Sequence, residues 1–210
     1  LPAFVRGERF RAAFPEYAAA RVATITDLAA FDVPATVVTE WASRYDNRLH
    51  PIQLDAINEH RILDGGSLFA IAPTSSGKTF IGELAAVRAI VSGHKAVFLL
   101  PYKALVNEKY DDFSALYGQR LDMRVIRCTG DHHDRVREFL TGRFDIALLT
   151  YEMFLGIAVT NAPLLNLIGL IVLDEAQLVT DRTRGINVEL LLTFIRSARQ
   201  REVAPQLVLL

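Results

Sequence analysis

The sequence holds one cysteine, one tryptophan and two methionines in 210 residues. Cys128 therefore cannot close an internal disulfide or found a thiolate metal cluster. It reads as a small buried apolar residue in a chain kept in a reducing compartment. An excess of either charge is also missing: 23 Lys and Arg face 24 Asp and Glu, for a formal net charge of −1. Bulk charge cannot hold a polyanion here, so any such contact needs a local patch or backbone N–H groups. No apolar run reaches the ~18 residues of a membrane span. The opening "LPAFVRGERFRAAF" lacks both Met and the layout of a signal peptide. A cytoplasmic, nucleoid or nuclear chain is expected, not a secreted or membrane one. Internal repeats and low-complexity linkers are absent too. Both ends look cut, and the expectation is a segment of a longer protein.

What is present is a folding core. Apolar residues make up 51% of the chain, which belongs to a globular domain rather than a disordered one. The first part reads as helical. "RGERFRAAF" is amphipathic, and "YAAARVATITDLAAF" could be a second helix. "DVPATVVTEWASRY" offers Asp32 as an N-cap with Pro34 in the first turn, and "PIQLDAINEHRIL" runs from Pro51 to Gly65–Gly66.

After Gly66 the texture changes. "SLFAIAP", "KAVFLLP", "MRVIRC", "DIALLT", "GLIVLD" and "PQLVLL" are short, nearly continuous apolar runs, as expected of parallel strands covered on both faces. Between them lie helix candidates: "KTFIGELAAVRAIVSG", "KALVNEKYDDFSALYG", "HDRVREFLTG" and "NVELLLTFIRSARQ". Gly93 and Gly118 stand where C-terminal caps belong, and the Phe and Leu residues of "LLLTFI" are assigned to the core. This alternation predicts an α/β fold with a mostly parallel sheet flanked by helices, preceded by a helical segment.

Ligands of such sheets bind at the carboxyl ends of the strands. Those ends are polar and distinctive: the loop from Pro73 to Thr79, Pro101-Tyr-Lys, Thr129-Gly-Asp, Thr150-Tyr-Glu, and Asp174-Glu-Ala-Gln. The first has the layout of a phosphate-binding P-loop, strand then loop then helix, with Ala72 where the first Gly usually stands. A small residue fits there if φ stays negative. Backbone N–H groups of Ser75, Ser76, Gly77, Lys78 and Thr79 could wrap a β-phosphate at the helix N-terminus. Lys78 would reach the β- and γ-phosphates, and Thr79 would offer its hydroxyl to Mg²⁺. Asp174 could hold Mg²⁺ opposite Thr79, and Glu175 could orient the attacking water and accept its proton. An accidental loop of small residues, or a solvated acidic pair, explains each half alone but not the two together.

"APTSSGKT" and "DEAQ" together resemble motifs I and II of superfamily-two helicases, the class of DEAD-box and DExH proteins, in which Ala at the position of Ala72 is common. The resemblance runs from Leu49 to Leu210. "LPYKALVNEKYDDF" looks like motif Ia, "CTGD" like motif Ib, "DIALLTYEMF" like the Thr-Tyr-Glu motif, and "LHPIQLDAI" like the Q-motif region. "DEAQLVTDRTRGINVELLL" is similar to the segment after motif II in the Ski-like branch, although Gln177 stands where that branch usually has His. The resemblance implies a RecA-like P-loop NTPase domain over 49–210, behind a helical lead-in over 1–48. It also implies ATP and Mg²⁺ as cofactors, with Pro73, Thr74, Ser75, Ser76, Gly77, Lys78 and Thr79 around the nucleotide and Gln53 reading adenine through its amide. Lys78, Asp174, Glu175 and Gln177 form the catalytic set, Gln177 linking nucleotide state to nucleic-acid grip. Pro101, Lys103, Ala104, Thr129, Gly130, Thr150 and Glu152 lie where the family touches the nucleic-acid backbone, contacts that position a strand without reading its sequence. Phe31 and Trp41 are candidates to stack on adenine or simply to pack between helices.

The function so implied is an ATP-dependent nucleic-acid helicase, acting on single-stranded or tailed DNA or RNA together with a second RecA-like domain. The resemblance implies that this segment stops before motif III, and the second RecA-like domain with its arginine finger, a group worth roughly 10³–10⁵ in rate, is expected outside it. Weak nucleotide binding and very slow hydrolysis are expected of this segment alone. An ATP-dependent duplex DNA translocase that does not separate strands shares the same motifs. A nucleotide-dependent clamp would have no need of Glu175. A small-molecule kinase would have no need of the Thr-Tyr-Glu and Thr-Gly-Asp strand ends. His132-His133 reads as a solvated loop rather than a metal site, and Arg182 and Arg184 could reach phosphate or be plain surface charge.

Overall fold

The computed structural model describes residues 21–73, 76–130, 135–180, 185–199 and 205–210. The expected helix "RGERFRAAF", the start of "YAAARVATITDLAAF", His132-His133, and Arg182 and Arg184 lie outside them.

The apolar runs do become strands: β1 Leu68–Phe69, β2 Lys95–Leu100, β3 Val125–Cys128, β4 Ile146–Thr150, β5 Ile168–Leu173 and β6 Gln206–Leu209. They form one sheet in the order β1-β6-β5-β2-β4-β3, and every pairing is parallel. Parallel neighbours need crossovers, and helices supply them. These are α1 Ala35–Arg44, α2 Pro51–Asn58, α3 Lys78–Val91, α4 Lys103–Phe113, α5 Val136–Leu140, α6 Tyr151–Thr160 and α7 Gly185–Arg199.

Successive residues of a strand point to opposite faces, and the central strands use both. Ala96, Phe98 and Leu100 of β2 pack into one cluster with Ile81, Leu84 and Val106 of α3 and α4. Val97 and Leu99 pack into the other, with Phe154 of α6 and Leu191 of α7. The result is three layers, helix–sheet–helix. Residues from Val22 to Trp41 belong to the first cluster. Trp41 meets the ring of Phe80 edge-on at 5.0 Å. No helix among the described residues is long and apolar enough to cross a membrane.

Several local expectations change. Asp32 does not cap α1: it sits in the left-handed region (φ 59) at the end of a 3-10 turn over Ile25–Phe31, and Pro34 takes the N-cap position. The helix from Pro51 stops at Asn58 because Arg61 turns left-handed (φ 57). "SLFAIAP" pairs only over two residues, since β1 is an edge strand and Ile71 beyond it is exposed. Gly93 does end α3, with φ +82 and its N–H on the Ile90 carbonyl. Gly118 caps nothing: α4 runs on through a π-helical stretch over Ser114–Arg120. In "LLLTFI", Leu191 and Ile195 are buried but Leu190 faces solvent. The helix α6 was not anticipated at all.

Candidate nucleotide and nucleic-acid sites

The loop after β1 delivers Gly77 as the N-cap of α3, at φ +77, with Lys78 and Thr79 as the first helical residues. The first-turn N–H groups of a helix lack intrahelical acceptors and draw anions. Gly77 is needed for more than its φ. A Cβ there would lie 2.5 Å from Gln53 Nε2. Behind the loop, the Ser76 N–H and hydroxyl both donate to the Pro73 carbonyl, at 3.2 and 2.7 Å. Thr74 and Ser75 lie outside the described residues.

Gln53 is buried on α2. Its Oε1 accepts from the His50 N–H at 2.8 Å, and its Nε2 donates to the Gly77 carbonyl at 2.9 Å. The amide therefore ties the start of α2 to the start of α3. It also bounds a cavity of about 480 Å³ that Tyr45, Arg48, His50, Gly77 and Glu83 help to line, a size typical of ligand sites. Phe31 and Trp41 are core residues. Tyr45 and Phe80 are the aromatics at this cavity, and the Tyr45 hydroxyl is pushed up to about 12 by burial and then by the Glu83 charge.

Across the loop, β5 ends in Asp174-Glu175. The Asp174 N–H donates to Leu99 O at 2.9 Å, and the Tyr151 hydroxyl donates to the Asp174 carbonyl. Burial, then the Asp174 charge, raises the Tyr151 phenol well above its ordinary value, so it stays a donor. Glu175 is left-handed (φ 59). Its N–H is held by Asp174 Oδ1 at 3.1 Å, and the next N–H, of Ala176, by Leu210 O at 2.8 Å. Gln177 Nε2 donates to the Glu175 carboxylate. Lys78, Thr79, Lys109, Asp174 and Glu175 line one cavity of about 230 Å³. Within it, Lys109 Nζ stands 3.3 Å from Thr79 Oγ1 and 3.7 Å from Asp174 Oδ2.

The profile of the DEAD/DEAH box helicase family matches residues 50–210. The chain belongs to that family. As a helicase domain it is 37% identical over 153 residues to the ATP-dependent DNA helicase Hel308 of Thermococcus kodakarensis, covering 72% of this chain and 13% of that one. It is 37% identical over 151 residues to Hel308 of Methanocella arvoryzae, covering 70% and 20%. The domain thus spans a fifth or less of the length of these relatives. Its fold is similar to that of the DUF1998 helicase MrfA, with a TM-score of 0.69 at 18% identity over 84% of this chain and 29% of that one. MrfA bound to DNA and AMPPNP gives 0.70 at 19%, over 84% and 26%.

Further along the same edge, the helicase domain opens a third cavity, of about 570 Å³. Pro101, Lys103, Gly130, Thr150, Glu152 and Met153 line it, so five of the expected backbone-contacting residues meet in one place. Ala104 is exposed beside them in the first turn of α4. Thr129 is buried, its Oγ1 without a hydrogen-bond partner. Thr150 Oγ1 caps α6 by accepting the Met153 N–H at 3.3 Å, and Glu152 accepts from Asn187 Nδ2 at 3.0 Å. Reading the sequence missed Tyr45, Glu83 and Lys109. The first two carry no local signal. Lys109 lies inside "LPYKALVNEKYDDF", but its approach to Thr79 and Asp174 joins residues far apart in the chain and leaves no local pattern.

Proposed function

We propose that this domain is the first motor unit of an ATP-dependent nucleic-acid helicase of the Ski-like branch, working with a second RecA-like domain across its nucleotide edge. The observation that carries the reading is the gathering of Lys78, Thr79, Asp174 and Glu175 around one cavity at the carboxyl edge of the sheet. Lys78 and the first-turn N–H groups of α3 bind the phosphates, with Pro73, Thr74, Ser75, Ser76 and Gly77 shaping the loop around them. Gln53 sets the preference for adenine at the cavity it bounds, with Tyr45 beside the base.

Thr79 and Asp174 supply a hydroxyl and a carboxylate, the hard oxygens that suit Mg²⁺, and the Lys109 ammonium close to both of them supports a positive charge at that place. Such an ion, when bound with ATP, neutralises charge developing on the phosphates. Glu175 orients the attacking water and takes its proton, and Gln177 steadies that carboxylate and ties it to the grip on the strand. Pro101, Lys103, Ala104, Thr129, Gly130, Thr150 and Glu152 hold the strand by phosphate and sugar, without reading sequence. The relatives are DNA helicases by name and MrfA binds DNA, which favours a DNA strand as substrate.

The test is ATP hydrolysis by the whole protein with no nucleic acid, single-stranded DNA, single-stranded RNA or duplex DNA. Stimulation by single-stranded DNA is expected, along with a loss of roughly 10²–10⁴-fold in Glu175→Gln. Stimulation by duplex alone would make the protein a translocase instead. No stimulation by any of them would remove the strand-tracking motor.

A further inference from the structure

Lys109 sits two turns into α4, and its side chain reaches over the carboxyl edge of the sheet to the start of α3. The two oxygens it meets there, Thr79 Oγ1 at 3.3 Å and Asp174 Oδ2 at 3.7 Å, are the two that the nucleotide reading needs for Mg²⁺. Both carboxylate and ammonium are largely withdrawn from water, with side-chain exposures of 14% and 22%, so solvent screens the pair only in part. A threonine hydroxyl that accepts from an ammonium has given that lone pair away. A lysine and a divalent cation this close also repel each other.

We propose that Lys109 is a positioning residue that competes with Mg²⁺: it holds Thr79 and Asp174 together through its own charge and yields both oxygens when nucleotide brings the metal. The inference rests on the nucleotide reading above. The displaced ammonium has acceptors close by. Glu83 follows Thr79 by one turn on α3 and its carboxyl already feels the Lys109 charge, while Asp112 lines the same cavity as Lys109.

The experiment is binding rather than turnover. Fluorescent mant-ADP is titrated into the purified protein in EDTA, and Mg²⁺ is then titrated at fixed mant-ADP, for the wild type, Lys109→Met, Lys109→Gln and Lys109→Arg. Removing the charge is expected to lower the half-saturating Mg²⁺ concentration by roughly three- to tenfold, the equivalent of one part-buried ion pair. Affinity in EDTA should stay within about twofold, and Lys109→Arg should keep the wild-type Mg²⁺ dependence. The Gln variant, which keeps a polar head, answers the question should the Met variant fold poorly. An unchanged Mg²⁺ dependence in both neutral variants would overturn the proposal. Equal weakening with and without Mg²⁺ would overturn it too, making Lys109 a phosphate ligand. If the wild type binds no mant-ADP at any Mg²⁺ concentration, the nucleotide reading itself has failed, and the lysine proposal falls with it.

Discussion

Glu83 carries a carboxyl into the packed side of α3, where it accepts from the Tyr117 hydroxyl, which accepts in turn from Trp41 Nε1 at 3.2 Å. Burial pushes this acid above its ordinary value of 4.5, against the pull of the Tyr117 hydrogen bond and the Lys109 charge. The folded chain therefore holds the proton more tightly than the unfolded chain does. Stability from this group is fully present below 4.5, is lost as pH rises from there through the raised folded value, and is flat above it. Glu83→Gln keeps an acceptor for Tyr117 and removes the titration. Its melting temperature should exceed that of the wild type at neutral pH, and the gap should close toward pH 4; a constant gap across thermal melts would deny the linkage. The same scale shows what a sequence can and cannot reveal. Lys78, Thr79, Asp174 and Glu175 could be brought forward together from the sequence because each sits in a contiguous motif at a strand end, and the structure gathers them around one cavity. Trp41 meets Tyr117 across 76 residues, Tyr117 meets Glu83 across 34, and Lys109 meets Thr79 across 30. Spacings of that kind obey no periodicity.

The elements were read better than their ends. Continuous apolar runs identify buried parallel strands because both faces of the sheet are covered, and β2, β4 and β5 are buried almost throughout. The helix α6 escaped because its residues, "YEMFLGIAVT", are apolar on nearly every side and give no amphipathic stripe; only the cap at Thr150 marks its start. Asp32 looked like a cap because Asp favours that role, but it also tolerates the left-handed turn it adopts. At the junction of loop and α3, sequence and geometry agree. Gly77→Ala would place a methyl against Gln53 Nε2 at a backbone angle that disfavours it. A loss of about 1–3 kcal/mol is expected in urea denaturation, together with weaker mant-ADP binding as the Gln53–Gly77 bond breaks. The helix α4 has a broader reach: Lys103 at its start lines the larger cavity, and Lys109 within it lines the nucleotide cavity. One rigid rod thus touches both candidate sites.

Over the whole molecule, positive and negative charges nearly cancel, and the cavity proposed to hold the strand carries Lys103 beside Glu152. Few counterions would leave a bound strand, so affinity for single-stranded DNA should fall only gently with salt, with a log–log slope of roughly −0.7 to −2. Fluorescence anisotropy across a salt series checks this, and a slope many times steeper would point to a basic surface elsewhere. The sheet order has a different consequence. Among the described residues the edge strand β1, which launches the phosphate loop, pairs with β6 alone, and Leu207 N–H on Ser67 Oγ spans 140 residues. Gln206 adds bonds from its side chain to the Ile62 and Gly66 carbonyls, at 2.8 and 2.7 Å. On a ribosome, which delivers the chain from its N-terminus, β1 emerges long before the strand that receives it. At synthesis rates of about 5–20 residues per second the 140 residues between them take about 7–28 s to emerge, and for that time the phosphate loop hangs from a strand whose partner β6 has yet to slide in between β1 and β5.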